Sequence, residues 1–341
     1  MNILIVKLSA IGDVVHTLPS LAALRKLYPA AHITWAVEEA AADLLCGHPH
    51  LDRVLVSKRK SWLHRMADGH IVESFWEMKS FLRELRDRPY DLVIDFHGLF
   101  KSASIVLLSG GKRRLGYDSM QEMSGLFLNE KIPEDLTKHA VDRYLDFVSH
   151  LGGQTADREF LIPIGEESRR RIDLLLKRAN LEPGMDFVAV SPDALWPTKL
   201  WDDERFAALC DRIRSDLRLP VVLTGADRGA VLSIRERMQE ASVDLAGRTS
   251  LRDLAELYRR ARLVISTDSG PMHIAAAVGT KVVALFGPTD PARTGPCGEG
   301  HIVIRRNMKC SPCFSRKCDH KTCMNDISVE EVFASLPGAL S

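Results

Sequence analysis

The sequence predicts an α/β protein built from two doubly wound parallel sheets. Three observations carry this. Short apolar runs alternate with segments of helical spacing along the chain. Strands separated by helices imply parallel sheets covered on both faces. The pattern occurs in both halves of a chain of 341 residues, a length that favours two domains.

In the first half, strands are expected at residues 3–8, 32–37, 53–56, 91–96 and 113–116, with helices at 14–27 and 73–86. In the second half, strands fall at 187–191, 220–224, 242–244, 263–266 and 281–286, and helices at 204–215, 230–241, 251–260 and 271–278. Residues 162–186 read as a boundary helix with polar and Pro/Gly punctuation. A last helix at 328–336 opens with a capping box, Ser328 to Glu331. The expected division is 1–165, 166–327 and a terminal helical segment 328–341 packing back on the first domain.

Composition removes several function classes. Hydrophobic residues make up 45% and charged residues 27%, ordinary for a globular chain. A net charge of +1 argues against bulk nucleic-acid binding. Met1 leads directly into a strand without a basic, apolar leader, and no apolar run is long enough to span a bilayer. The expectation is a soluble, cytoplasmic protein whose seven cysteines are reduced.

Ligands of open α/β sheets bind outside the carboxyl ends of the strands, so the loops there carry the functional candidates. In "KLSAIGDVVH", Gly12 permits a tight turn and Asp13 stands at a helix start, where it reads either as a cap or as a chemical group. The pattern is not G-x-G-x-x-G, so a dinucleotide fingerprint is not supported. In "DFHGLFKSA", His97 sits at a strand end and Lys101 one turn on. In "SPDALWPTKLWDDERF", Lys199 precedes a helix; a cation there suits a phosphate, and the plainer reading is a surface lysine. In "STDSGPMHIAAAVGTKVVALFGPTDPARTGP", Asp268, Ser269 and Gly270 form a loop, Pro271 suits a first helical turn, and His273 follows. A helix N-terminus with Gly at its mouth is built to receive an anion.

Three of these stretches, "ILIVKLSAIGDVVHTLP", "DLVIDFHGLFKSA" and the long segment from Ser266 to Pro296, resemble the ADP-heptose:lipopolysaccharide heptosyltransferases of glycosyltransferase family 9. The resemblance runs from Ile3 to about Ile327 and rests on the motif set in order. It implies a GT-B fold, two Rossmann-like domains facing a central cleft. It implies an inverting transfer of heptose from ADP-heptose to a hydroxyl of Kdo-lipid A, without a required cofactor. "AVEEAAADLL" is most similar to the members that add the first heptose; the second-heptose enzymes, or a GT-B transferase using another nucleotide sugar, are the alternatives. By the same resemblance, Asp13 is the base and Lys199 the phosphate-binding catalytic cation. Asp268, Ser269, Gly270 and His273 join Lys199 in holding the donor, and Ser9, Gly12, His97 and Lys101 face the acceptor. Two departures stand out: His97 where the family loop carries Gln, and Ala194-Leu195 where some members place hydroxyl residues.

The residues fit this chemistry. An inverting displacement needs one base and no second nucleophilic carboxylate, unlike the pair of a retaining hydrolase. The departing diphosphate gains charge that a Lys and a helix N-terminus stabilise. No Asp-x-Asp occurs, so Lys199 is expected to act in place of a bridging divalent cation. A sugar-nucleotide epimerase or dehydrogenase is disfavoured by the missing glycine fingerprint and the lack of a Tyr-x-x-x-Lys pair. A non-catalytic nucleotide-binding protein is the third class; binding of ADP without transfer would mark it.

Two features remain. "VSKRKSWLHRM" carries Lys58, Arg59, Lys60 and Arg65 without an acid. It reads as a solvated loop, or as a dock for the anionic acceptor in transient contact with the cytoplasmic face of the inner membrane, with Trp62 in the core or at the lipid interface. Cys310, Cys313, Cys318 and Cys323 have ligand-like spacing, so a structural zinc stands beside reduced thiols as a reading.

Overall fold

The computed structural model describes residues 1–119 and 121–340, apart from the side chains of residues 121 and 123. The chain forms two compact units, Met1–Pro163 and Ile164–Ser341.

The first unit runs β1 (Asn2–Val6), α1 (Ile11–Leu27), β2 (His32–Glu38), α2 (Glu39–Ala42), β3 (Arg53–Ser57), α3 (Arg59–Ala67), α4 (Ile71–Leu85), β4 (Leu92–Asp95), α5 (Phe100–Leu108), β5 (Arg113–Tyr117), β6 (Glu130–Ile132) and α6 (Ala140–His150). Its sheet has the order β3-β2-β1-β4-β5-β6, parallel throughout. Leu4 pairs across to Thr34 on one side and Val93 on the other. Both faces of β1 are buried: Ile3 and Ile5 point one way, Leu4 and Val6 the other, and all four have no exposed surface. Leu4, Val6 and Val93 meet Leu85 of α4 and Ile105 and Val106 of α5 in one core.

The second unit runs α7 (Glu166–Arg178), β7 (Val188–Ser191), α8 (Asp203–Ser215), β8 (Val221–Leu223), α9 (Arg228–Arg237), β9 (Val243–Asp244), α10 (Leu251–Arg260), β10 (Leu263–Thr267), α11 (Gly270–Ala277), β11 (Val282–Phe286), α12 (Pro291–Thr294), β12 (Ile302–Arg305), α13 (Thr322–Asn325) and α14 (Val329–Leu340). Its parallel sheet, β12-β11-β10-β7-β8-β9, repeats the first unit's topology. In each sheet the first and fourth strands of the unit lie side by side, β1 beside β4 and β7 beside β10. The connections leave this pair in opposite directions, and the fold opens a crevice there.

The expected elements are present with shifted ends, and the differences have physical reasons. The edge strands β6 and β12, of three and four residues, were not expected from the periodicity. Helices α5 and α6 were also not anticipated. The basic stretch expected as a loop is the end of β3 followed by α3, whose Trp62 is buried against Phe81 of α4. The terminal helix begins as expected, with Ser328 Oγ accepting the Glu331 N–H at 3.2 Å, but it continues through Pro337 to Leu340. Val332, Leu336 and Ala339 form one helical stripe that enters the second unit's core beside α8, β11 and β12. Ser341 lies outside the described residues.

Candidate active site

The end of β1 carries Asp13 into α1, but not as the N-cap. The cap position is Ala10, and Asp13 is the third helical residue. One carboxylate oxygen, Oδ2, accepts the Ala10 N–H at 3.1 Å, which is half of a capping box. The other, Oδ1, accepts the Tyr144 hydroxyl at 3.2 Å and lies 4.0 Å from Lys7 Nζ. Asp13 therefore caps with one oxygen and presents the other to a buried polar network, while its side chain stays 39% exposed. Removal from water pushes its pKa up. The Lys7 ammonium, the Ala10 N–H and the Tyr144 hydroxyl act against this and hold it below the usual carboxylate value.

Lys7 is a charged residue inside an apolar strand run. It is buried, and its ammonium donates to the Phe96 carbonyl at 2.9 Å and to the Tyr144 hydroxyl at 2.6 Å. Burial lowers its pKa, opposed by Asp13 and Asp95. Tyr144 comes from α6, so three elements converge on one carboxylate oxygen.

At the end of β4, Asp95 shapes the loop. It accepts the backbone N–H of His97 at 2.9 Å and of Gly98 at 3.1 Å, and the Ser102 hydroxyl at 2.9 Å. Gly98 has φ +68°, which a residue with a Cβ adopts only under strain. This turn delivers His97, whose ring nitrogens are both buried and make no well-formed hydrogen bond, with the Ser9 backbone beside the ring. Burial, with Lys7 and Lys101 close by, lowers its pKa to about 3, so the imidazole is neutral. Lys101 donates to Ser9 Oγ at 2.7 Å and to Glu38 at 3.3 Å. Gly12 lies buried in the first turn of α1. The structure thus gathers Ser9, Asp13, His97 and Lys101 at the β1/β4 crevice.

The basic stretch divides. Arg59 and Lys60 stand 3.8 and 3.7 Å from the buried carboxylate of Glu38, which also holds Lys101. Lys58 is exposed. Arg65 does not join them: it clasps Glu77 with two nitrogens, at 2.8 and 2.5 Å, and Trp62 Nε1 donates to the same carboxylate at 2.9 Å. Arg65 and Trp62 therefore tie α3 to α4, so Arg65 has its charge paired within the protein while 35% of its side chain stays exposed, and Trp62 belongs to the core.

In the second unit the β7/β10 crevice holds the other candidates. A single 3₁₀ turn, Pro197–Lys199, carries the lysine. Its Nζ lies 2.6 Å from Asp268 Oδ2 and 4.6 Å over the Trp196 ring. Asp268 is buried and also accepts the Thr289 hydroxyl. Arg316 stacks on Trp196 as well, 4.9 Å from its ring centre. Thr267 Oγ1 donates to the Asp193 carbonyl at 2.9 Å, joining the loops after β7 and β10. Ser269 is the N-cap residue of α11, Gly270 its first residue, and His273 is buried in its opening turn. Asp268 therefore anchors Lys199 by a charge-assisted contact. Leu195, at the departure noted in the sequence, is 92% exposed.

Sequence reasoning missed Lys7, Tyr144, Glu38, Trp196 and Arg316. Lys7 had a signal, a cation within an apolar strand; the others had none of their own. Cys310 and Cys313 are exposed thiols, Cys318 is half-buried and Cys323 buried. Among the described residues, no group of three or more His, Cys, Asp or Glu side chains is arranged to hold a metal, so the zinc reading finds no ligand set there.

The family model described as glycosyltransferase family 9 (heptosyltransferase) matches residues 78–324. Lipopolysaccharide heptosyltransferase 1 of Pseudomonas aeruginosa is 29% identical over 332 residues, covering 96% of this chain and 90% of that protein. The crystal structure of a family 9 glycosyl transferase from Veillonella parvula superposes with a TM-score of 0.85 at 25% identity, over 99% of this chain and 97% of that one. The E. coli heptosyltransferase WaaC with ADP-2-deoxy-2-fluoro heptose gives a TM-score of 0.78 at 24% identity over 99% of each chain, a likeness of fold. The two Rossmann-like units are those of the GT-B fold.

Proposed function

The chain belongs to glycosyltransferase family 9, the heptosyltransferases of lipopolysaccharide core synthesis, and from that premise we propose that it adds the first heptose. In this reading ADP-heptose is the donor and a hydroxyl of Kdo-lipid A the acceptor. The observation that carries the mechanism is the divided carboxylate of Asp13, held ionised by Lys7 and Tyr144 and still open to solvent.

The acceptor hydroxyl oxygen attacks the anomeric carbon from the face opposite the diphosphate. Its proton passes to Asp13. The bond between the anomeric carbon and the phosphate oxygen breaks, and ADP leaves with the electron pair. Inversion follows from this single displacement. Lys199, oriented by Asp268, and the N–H groups at the start of α11 meet the departing diphosphate, where added negative charge is stabilised most. Ser269, Gly270 and His273 belong to the same donor loop. Ser9, Gly12, His97 and Lys101 receive the acceptor sugar, and Lys58, Arg59 and Lys60 its anionic groups. Arg65 supports α3 through Glu77 rather than the acceptor.

Among the described residues, no helix is long and apolar enough to cross a membrane. The proposed site of action is the cytoplasmic face of the inner membrane, where the protein binds peripherally. The deciding experiment offers ADP-heptose with Kdo2-lipid A beside heptosyl-Kdo2-lipid A and reads products by mass spectrometry. The expected result is one heptose added to Kdo2-lipid A. Transfer only to the heptosylated acceptor would move the protein to the second step, and no transfer to either would refute the proposal.

A further inference from the structure

Helix α4 carries an apolar face that the fold leaves uncovered. Its inner side is accounted for: Ser74 and Leu85 are buried, and Phe81 and Leu82 pack against the first unit's core. Its outer side presents Ile71, Val72, Phe75 and Trp76, each 57–66% exposed. Positions i, i+1, i+4 and i+5 of a helix lie together, so these four side chains form one patch across the first two turns. Leu63 of α3, the helix packed alongside, is 53% exposed. Single exposed apolar residues need no explanation, but a clustered aromatic and aliphatic face does.

The charge around it selects the occupant. From Lys58 to Arg86 the chain holds seven Lys and Arg against four Asp and Glu, in a protein whose whole net charge is +1. Two of the acids are taken by arginines, Glu77 by Arg65 and Glu84 by Arg53. Lys79 lies 4.7 Å over the Trp76 ring, inside the apolar patch, and Lys58 and Lys60 are exposed. Apolar and aromatic side chains flanked by lysines match a bilayer interface, where the rings enter the headgroup layer and the ammonium groups remain at the phosphates.

We propose that Ile71, Val72, Phe75 and Trp76 of α4, with Lys58, Lys60 and Lys79, form the surface that docks this protein onto an anionic phospholipid membrane. This deepens the peripheral membrane binding proposed above. The test reads lipid binding without donor or acceptor, so it stands or falls separately from heptosyl transfer.

The full chain is floated with vesicles of 70% phosphatidylethanolamine and 30% phosphatidylglycerol, and with vesicles of phosphatidylcholine alone. Wild type should bind the anionic vesicles roughly a hundredfold more tightly than the neutral ones, because each of the three lysines at the surface contributes roughly fivefold. The double variant Phe75→Ser, Trp76→Ser should lose roughly tenfold of that binding, because interfacial affinity scales with the apolar surface buried. Its thermal midpoint should be unchanged, since neither side chain enters the core. Lys79→Glu, which leaves the apolar residues in place, should weaken anionic binding alone. The proposal is overturned by absence of wild-type binding, by equal affinity for both vesicles, or by a double variant that binds like wild type. It is also overturned if sedimentation shows a wild-type dimer that the double variant abolishes, for then a second copy covers this face.

Discussion

Tyr144 donates its hydroxyl to Asp13 across 131 residues of sequence, and the same oxygen accepts the Lys7 ammonium. The carboxylate is held below its usual pKa by this network against the effect of burial. A depressed pKa keeps Asp13 ionised as pH falls, so if it is the base as proposed, the acid limb of kcat/KM should lie below the ordinary carboxylate range. Tyr144→Phe removes the donor and should move that limb to higher pH by about half to one unit, with the plateau less affected. An unshifted limb would show that the network does not set the ionisation of the group proposed as the base.

Asp13→Asn retains an oxygen for the Ala10 N–H but cannot take a proton. Turnover should fall by about 10² to 10⁴, the usual contribution of a general base. ADP affinity, measured by calorimetry, should stay within a factor of about two, because the side chains proposed to hold the donor lie in the other unit. Near-normal turnover would reduce Asp13 to a helix cap.

Lys199→Ala should weaken ADP binding by roughly 1.5–3 kcal/mol, the scale of a charge-assisted hydrogen bond. Asp268→Asn keeps the lysine but loosens its 2.6 Å anchor. It should cost more in kcat than in ADP affinity if the anchor serves the departing phosphate. EDTA should leave the wild-type rate unchanged. Loss of activity in EDTA with recovery on adding Mg²⁺ would contradict the role given to Lys199.

His97 holds two buried ring nitrogens that make no well-formed hydrogen bond, an arrangement that costs stability in the absence of a ligand. A neutral imidazole offers one donor and one acceptor, suited to sugar hydroxyls. His97→Ala should raise acceptor KM about tenfold with little change in ADP affinity, and His97→Gln, which restores a donor and an acceptor, should recover most of it. His97→Leu should unfold at an equal or higher temperature while binding acceptor poorly. An unaltered KM in all three would leave His97 without a part in recognition.

His48 supplies a pH test of stability. It donates from Nε2 to the Leu161 carbonyl at 3.1 Å and accepts the His50 N–H at Nδ1, an arrangement only the neutral ring can make. Burial, with His50 beside it, lowers its pKa to about 4. The unfolded chain takes up this proton near pH 6.5, so the stabilisation is complete above that value and declines as pH falls toward 4. Its full size is on the order of 3 kcal/mol. Urea unfolding at pH 7 and pH 4.5 should show the loss, and His48→Gln should flatten this part of the profile. An identical slope in the variant would assign the effect to other groups.

The sequence by itself determined the α/β class, the twofold repetition of the pattern and the loops that bear Asp13, His97, Lys199 and Asp268. These follow from local signals. Apolar periodicity marks strands and helices, and side chains just past a parallel strand reach the functional edge of the sheet. Only the tertiary structure decided which side chains those residues meet. Tyr144 reaches Lys7 over a separation of 137 residues because α6 packs on α1, and Lys101 reaches Glu38 because β1 lies between β2 and β4. The same is true of α3, whose polar sequence hides a helix stabilised by Trp62 and Arg65 against α4, and of α14, whose stripe fits the second core. Spacing along the chain records what each residue can bury, whereas partners are chosen by strand order and helix packing.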